Sequence, residues 1–211
     1  MKQCLKCETH YQGEVCPDCG LISYRDISHL SISDAVKSIL MSIEGAPLRE
    51  ELLETPRRVQ KSFEEMLDGY NVDIDSLLKS FDDEGKDQIV IASDIEFVSL
   101  CEHHLLPFTG VAHVGYLPKD KVIGISKIPR LVLAFAHRLQ LQERLTKQVA
   151  YTLMESLEPH GVAVVTIAEH SCMRCRGVKS TKAKVICSEM IGKFREDIPL
   201  RQEFLTLIGL S

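Results

Sequence analysis

Gln88-Ile-Val-Ile-Ala-Ser-Asp-Ile-Glu-Phe-Val-Ser-Leu100 is rich in Ile and Val and marks the point where the chain turns from helical to strand-like patterning. Residues 108–116 are strand-like as well. Leu117-Pro-Lys-Asp-Lys121 then supplies a turn into residues 122–125, which suggests a hairpin. Two helices are expected next. Residues 128–139 form the first, with Pro129 in its opening turn, and residues 142–157 the second, where Leu145, Val149, Leu153 and Leu157 recur every fourth residue. The apolar run 161–168 leads as a buried strand into His170, and residues 182–188 read as another strand. Pro199 opens a final helix carrying Phe204, Leu205 and Ile208. Strands, two helices, then strands is an α+β order with antiparallel hairpins, not an alternating parallel fold.

Upstream of residue 88 the pattern is helical. Ser33 is expected to cap a helix with Val36, Ile39, Leu40 and Ile43 on one face, ending near Gly45 and Pro47. Thr55 is the expected N-cap of a second helix, with Pro56 at its first position and Val59, Phe63, Met66 and Leu67 as its apolar stripe. Arg57, Arg58 and Lys61 fall in its first two turns, where cations gain nothing from the helix dipole. That face is either a solvated basic surface or an anion site.

The N-terminus has a different character. Cys4 and Cys7, then Cys16 and Cys19, form two CxxC knuckles, the second in the frame Cys16-Pro-Asp-Cys-Gly20. Each knuckle aims two sulfurs at one ion, and a segment this short lacks the apolar core to fold without one. The expected organisation is a structural zinc ribbon over residues 1–24, a helical region over 25–87 and an α+β domain over 88–211.

With 211 residues and 45% hydrophobic content, the chain can bury one sizeable core. No apolar run reaches the ~20 residues that a membrane helix requires, and the polar start lacks the hydrophobic region of a signal peptide, so no membrane role and a cytoplasmic location are expected. The eight cysteines cluster as metal ligands would in a reducing compartment. A net charge of −5 argues against a general nucleic-acid binder.

The chemistry is concentrated in Cys101-Glu-His-His104 and His170-Ser-Cys172-Met-Arg-Cys-Arg-Gly177. Together these fragments supply two thiolates and an imidazole to one zinc ion, which leaves a fourth position for water and lowers that water's pKa from ~15.7 toward ~7. Adjacent histidines cannot easily both bind one ion. One of His103 and His104 is therefore free for proton transfer, and His170 is a second candidate acid or base.

Cations gather nearby in sequence. Arg174, Arg176, Lys179, Lys182 and Lys184 surround Cys172, while Ser126, Lys127 and Arg130 lie at a strand-to-helix junction where exposed amides favour anions. In an acidic chain this concentration suggests a polyphosphate. Glu143, beside Gln142, offers a carboxylate that accepts from two N–H groups at once, as guanine's N1 and exocyclic amine require; an N-terminal helix acid is the plainer alternative.

Thr55-Pro-Arg-Arg-Val59, Ser99-Leu-Cys-Glu-His-His104, Gly124-Ile-Ser-Lys-Ile128, Gln142-Glu143, Ala168-Glu-His-Ser-Cys-Met173, Arg176-Gly-Val178 and Phe194-Arg-Glu-Asp197, in this order, resemble the GTP cyclohydrolase I family over roughly residues 33–210. The resemblance implies a tunnelling-fold (T-fold) α+β subunit with an antiparallel sheet and helices, in a homodecamer whose active sites lie at subunit interfaces. It assigns Cys101, His104 and Cys172 to a catalytic zinc, and His103 and His170 to proton transfer. It places Glu143 and Gln142 on guanine, and Lys61, Ser126, Lys127, Arg130 and Arg176 on the triphosphate. The implied reaction adds water at C8 of GTP, opens the imidazole ring, releases formate and closes a pterin ring to give 7,8-dihydroneopterin triphosphate. Two features depart from the family pattern. Cys175 stands where a methionine or similar apolar residue is expected, and the ribbon is an addition that could contact a protein partner.

Overall fold

The computed structural model describes residues 2–3, 10–11, 30–82 and 88–210. Cys4, Cys7, Cys16 and Cys19, and with them the expected ribbon zinc, lie outside the described residues. Two compact units make up the chain, Met1–Glu64 and Glu65–Ser211.

In the first unit, strands β1 (Lys2–Gln3) and β2 (His10–Tyr11) pair antiparallel. Helix α1 (Ile32–Glu44) is capped by Ser31, not by Ser33 as expected. Asp34 decides the matter: Ser31 Oγ accepts from the Asp34 amide, and Asp34 Oδ2 accepts from the Ser31 amide, each at 3.1 Å, a reciprocal capping box. The Ser33 amide instead donates to Gln60 Oε1. Thr55, expected as a cap, is itself the first residue of α2 (Thr55–Met66), with Pro56 in the first turn.

The second unit is built around a five-stranded sheet, with a separate two-stranded pair. After α3 (Ile74–Leu77) come β3 (Ser80–Asp82), β4 (Val90–Cys101), β5 (Pro107–Leu117), β6 (Lys121–Ile123), α4 (Lys127–Ala136), β7 (Leu139–Gln140), α5 (Gln142–Leu157), β8 (Gly161–His170), α6 (Ser171–Arg174), β9 (Val185–Gly192), α7 (Lys193–Glu196) and α8 (Ile198–Leu207). The five-stranded sheet runs β7-β4-β5-β8-β9, antiparallel except for the short β7, which lies parallel to the end of β4. This is the mixed α+β architecture expected.

Three local expectations are corrected. β6 pairs with β3, not β5, because both edges of β5 are already taken by β4 and β8. Helix α4 stops at Ala136, short of residue 139, because Leu139 and Gln140 are drawn into the sheet as β7. The last strand starts at Val185 and runs to Gly192, following its ladder with β8.

Period-two alternation sorts the sheet's side chains onto two faces. Phe97, Phe108, Ala112, Val114, Val162, Val164 and Ala168 join Leu131, Val132 and Phe135 of α4 and Leu145, Val149 and Leu153 of α5 in the main core. Each such fully buried aliphatic side chain contributes roughly 1.5–3 kcal/mol. On the other face, Ala163 and Val165 meet Phe194 and Phe204. Gly115 is required there, since a Cβ at that position would lie 2.8 Å from the Phe204 ring. No described helix is long and apolar enough to cross a membrane.

Candidate active site

The main core ends in chemistry where β4 and β8 finish at the same end of the sheet, on either side of β5. β4 delivers Cys101, 6% exposed, and the chain then doubles back: the Leu105 amide donates to Cys101 O, and the Cys101 amide to Leu106 O. Leu105 takes φ +53° to close this turn. The turn brings His104 Nδ1 to 3.7 Å from Cys101 Sγ. β8 places His170 opposite Phe108, and α6, following directly, carries Cys172.

The ligand atoms of Cys101, His104 and Cys172 all lie within 4.8 Å of one another. Two ligands 2.1–2.3 Å from one tetrahedral ion stand ~3.6 Å apart, so the Cys101–His104 spacing fits zinc, as does a donor set of two thiolates and an imidazole. Burial, and after it the neighbouring Cys101, push the Cys172 thiol above its ordinary range, while Arg176 acts in the opposite sense. A bound divalent cation would reverse that rise. Cys175 is exposed and stands outside the cluster.

The cluster opens on a cavity of about 230 Å³ whose lining includes His103, Gln142, Glu143 and His170. Of the two adjacent histidines it is thus His104 that joins the thiols, and His103 faces the cavity, its ring perpendicular to that of His104 at 6.1 Å. His170 is held on two sides. Phe108 stacks on it at 4.6 Å with the rings 1° from parallel, and Gln142 Oε1 lies 2.8 Å from its Nε2. Burial lowers the His170 pKa below the ordinary histidine value, opposed by the charge of Glu143.

Gln142 and Glu143 start α5 but face differently, since neighbouring helix residues point ~100° apart. Glu143 is exposed in the cavity lining. Gln142 is 1% exposed, and its amide N–H groups are spent on Thr166 O, Thr166 Oγ1 and Val185 O. The side chain thus spends its N–H groups within the protein, and its oxygen faces His170. The sequence did carry a signal for this, because Gln142 lies three residues before Leu145 and continues the buried stripe.

The cations are distributed unevenly. Arg174 is paired with Glu169. Ser126, Lys127 and Arg130 sit at the start of α4, Arg176 follows α6, and none of the four lines the cavity. Among the described residues, Lys127, Arg130 and Arg176 have no ion-pair partner. Lys61 is exposed on α2. Sequence reasoning missed the ion pair of Glu102 with Arg144 and the buried Thr146–Thr166 contact, both of which depend on pairing between distant segments.

A family model described as GTP cyclohydrolase I matches residues 32–209. GTP cyclohydrolase 1 of Synechococcus sp. (strain JA-2-3B'a(2-13)) is 44% identical over 207 residues, covering 95% of this chain and 90% of that protein. GTP cyclohydrolase 1 of Thermoanaerobacter pseudethanolicus is 48% identical over 179 residues, 84% of this chain and 95% of that one. The Leptospira biflexa protein of the same name is 47% identical over 178 residues, 84% of this chain and 97% of that one.

Proposed function

We propose, from the premise that this chain belongs to the GTP cyclohydrolase I family, that it is a zinc-dependent T-fold enzyme converting GTP and water to formate and 7,8-dihydroneopterin triphosphate, the first step of pterin and tetrahydrofolate synthesis. One observation carries the reading: Cys101, His104 and Cys172 converge at a cavity also lined by His103, Glu143 and His170. When bound by these three residues, zinc supplies Lewis-acid activation of water at neutral pH.

The chain's own groups divide the remaining work. Glu143 accepts from guanine N1–H and the exocyclic amine, which fixes the base with C8 toward the cluster. His170 delivers a proton to the imidazole nitrogen as water adds at C8, and the ring opens. His103 lies within the same cavity to move protons as the formyl group is hydrolysed and formate leaves. The freed amine then attacks the carbonyl of the rearranged ribose chain and closes the pterin ring with loss of water.

Lys61, Ser126, Lys127, Arg130 and Arg176 hold the triphosphate. A cavity of about 230 Å³ takes the base end of the nucleotide but not the whole of it. The cations outside that cavity suit a site completed by a second copy of the chain, as in a homodecamer with interfacial active sites. Cys4, Cys7, Cys16 and Cys19 would hold a second, structural zinc in a ribbon that is dispensable for chemistry and available to a protein partner. The enzyme is expected in the cytoplasm.

The test is to incubate the metal-replete protein with GTP and measure formate together with the fluorescence of the oxidised pterin. Both signals are expected, and both should vanish in His170→Ala. Neither signal from a folded, zinc-loaded oligomer would overturn the assignment.

A further inference from the structure

The hydrogen bonds around Gln142 have only one consistent direction. Gln142 Nε2 lies 3.0 Å from Val185 O and 3.1 Å from both Thr166 O and Thr166 Oγ1. Backbone carbonyls accept and never donate, so the NH2 end of the amide must face them; the reverse orientation would set oxygen against two oxygens. The threonines agree. Thr146 Oγ1 is 2.8 Å from the Gln142 backbone carbonyl and must donate to it. It therefore accepts from the Thr166 hydroxyl, 2.8 Å away, which leaves a Thr166 lone pair for the Gln142 amide. Gln142, Thr146 and Thr166 are 1%, 2% and 1% exposed, so solvent offers no alternative partners. What remains to face His170 Nε2, at 2.8 Å, is Gln142 Oε1, an acceptor only.

We infer that Gln142 is a positioning residue that holds His170 as the tautomer protonated on Nε2, so that Nδ1 is the nitrogen that exchanges a proton with the substrate. Thr166, Thr146 and the Val185 carbonyl fix the direction of the amide, and the stacked Phe108 ring fixes the plane of the imidazole. Among the described residues Nδ1 has no hydrogen-bond partner. The proton balance is closed: the Nδ1 lone pair takes a proton from the water adding at C8 and returns it to the imidazole nitrogen of the substrate. The Nε2–H···Oε1 bond persists throughout and strengthens while the ring is cationic. This inference rests on the assignment of proton transfer to His170, and it replaces a guanine contact for Gln142 with a role exerted through another side chain.

The experiment uses the full-length, zinc-loaded protein with nitrogen-15-labelled histidine, at a pH above the ordinary histidine pKa. The His170 ring signals are identified by their loss in His170→Ala. The expected spectrum shows a protonated Nε2 and an unprotonated Nδ1. In Gln142→Met the two tautomers should mix, with kcat lower on the order of 10- to 100-fold while the KM for GTP and the zinc content stay unchanged. A proton on Nδ1 in the parent would overturn the inference whether or not Gln142→Met folds. So would a Gln142→Met enzyme with raised KM and intact kcat, the signature of a lost guanine contact. A fully active His170→Ala would instead remove the assignment on which the inference stands.

Discussion

Arg144 grips Glu102 with both terminal guanidinium nitrogens, tying the turn between Cys101 and His104 to the first turn of α5. The turn that carries Cys101 and His104 and the helix start that carries Glu143 are thereby held to one another at the surface of the site. Arg144 holds the Glu102 carboxyl below the usual carboxylate range. The pair is thus fully formed above the ordinary Glu value and is lost only as pH falls through the lowered one. At neutral pH the clamp is therefore constant. Because both side chains are partly open to solvent, Arg144→Ala should leave the thermal midpoint nearly unchanged. Steady-state kinetics should nevertheless show kcat/KM lower by roughly tenfold, since a small displacement of the ligand turn disturbs the reacting geometry. Unchanged kinetics would reduce the pair to a surface contact.

Glu143→Ala should lower kcat/KM for GTP by on the order of 10²-fold or more, because guanine's N–H donors would enter the cavity without an acceptor. Kinetics with GTP measure it directly, and an unchanged value would remove Glu143 from the site.

His113 gives the protein a pH-dependent stability. It is 3% exposed, and its Nδ1 accepts from the Asp94 amide at the β4 bulge, where Asp94 has φ +55°. Burial lowers its pKa, with the Asp94 charge opposing. The unfolded chain therefore takes up a proton first as pH falls below ~6.5, and stability declines from there until the lowered folded value is reached. Thermal melts of the parent and of His113→Asn across that interval should diverge, with the variant flatter. Parallel curves would contradict this.

Gly110→Ala should destabilise the fold by about 2–4 kcal/mol, as judged by denaturant melts. A Cβ there would lie 2.0 Å from Ile167 O and 2.7 Å from Ala168 Cα, on a neighbouring strand that cannot retreat without breaking its own ladder. A loss below about 0.5 kcal/mol would show that β5 and β8 separate more easily than their register suggests.

If residues 1–24 form the proposed zinc ribbon, deleting them should leave formate release intact while removing one zinc per chain. Turnover abolished in a still-assembled oligomer would show that the ribbon takes part in catalysis.

The α5 stripe of Leu145, Val149, Leu153 and Leu157 was legible because helical periodicity is a local property, and the sequence bounds of that helix are those of the structure. The ligand fragments were legible because soft donors in two tight clusters have little other use. The partner of β6 was not, since strand pairing depends on which edges distant segments leave open. The same limit hid Arg144 from Glu102 and Thr166 from Gln142, whose contacts cross 42 and 24 positions of chain. Gln142 and Glu143 show the boundary most plainly. The sequence presented them as a pair, but only the phase of α5 buries one against His170 and leaves the other exposed in the cavity lining.

The most direct test of the zinc cluster measures metal content and formate release together on the full-length protein and on Cys172→Ser. If Cys101, His104 and Cys172 hold the zinc on which the reaction depends, the variant should carry one zinc fewer per chain and release no formate from GTP, with its fold intact by circular dichroism. Full zinc content with formate release near the parent's would contradict the assignment of this cluster as the catalytic metal site.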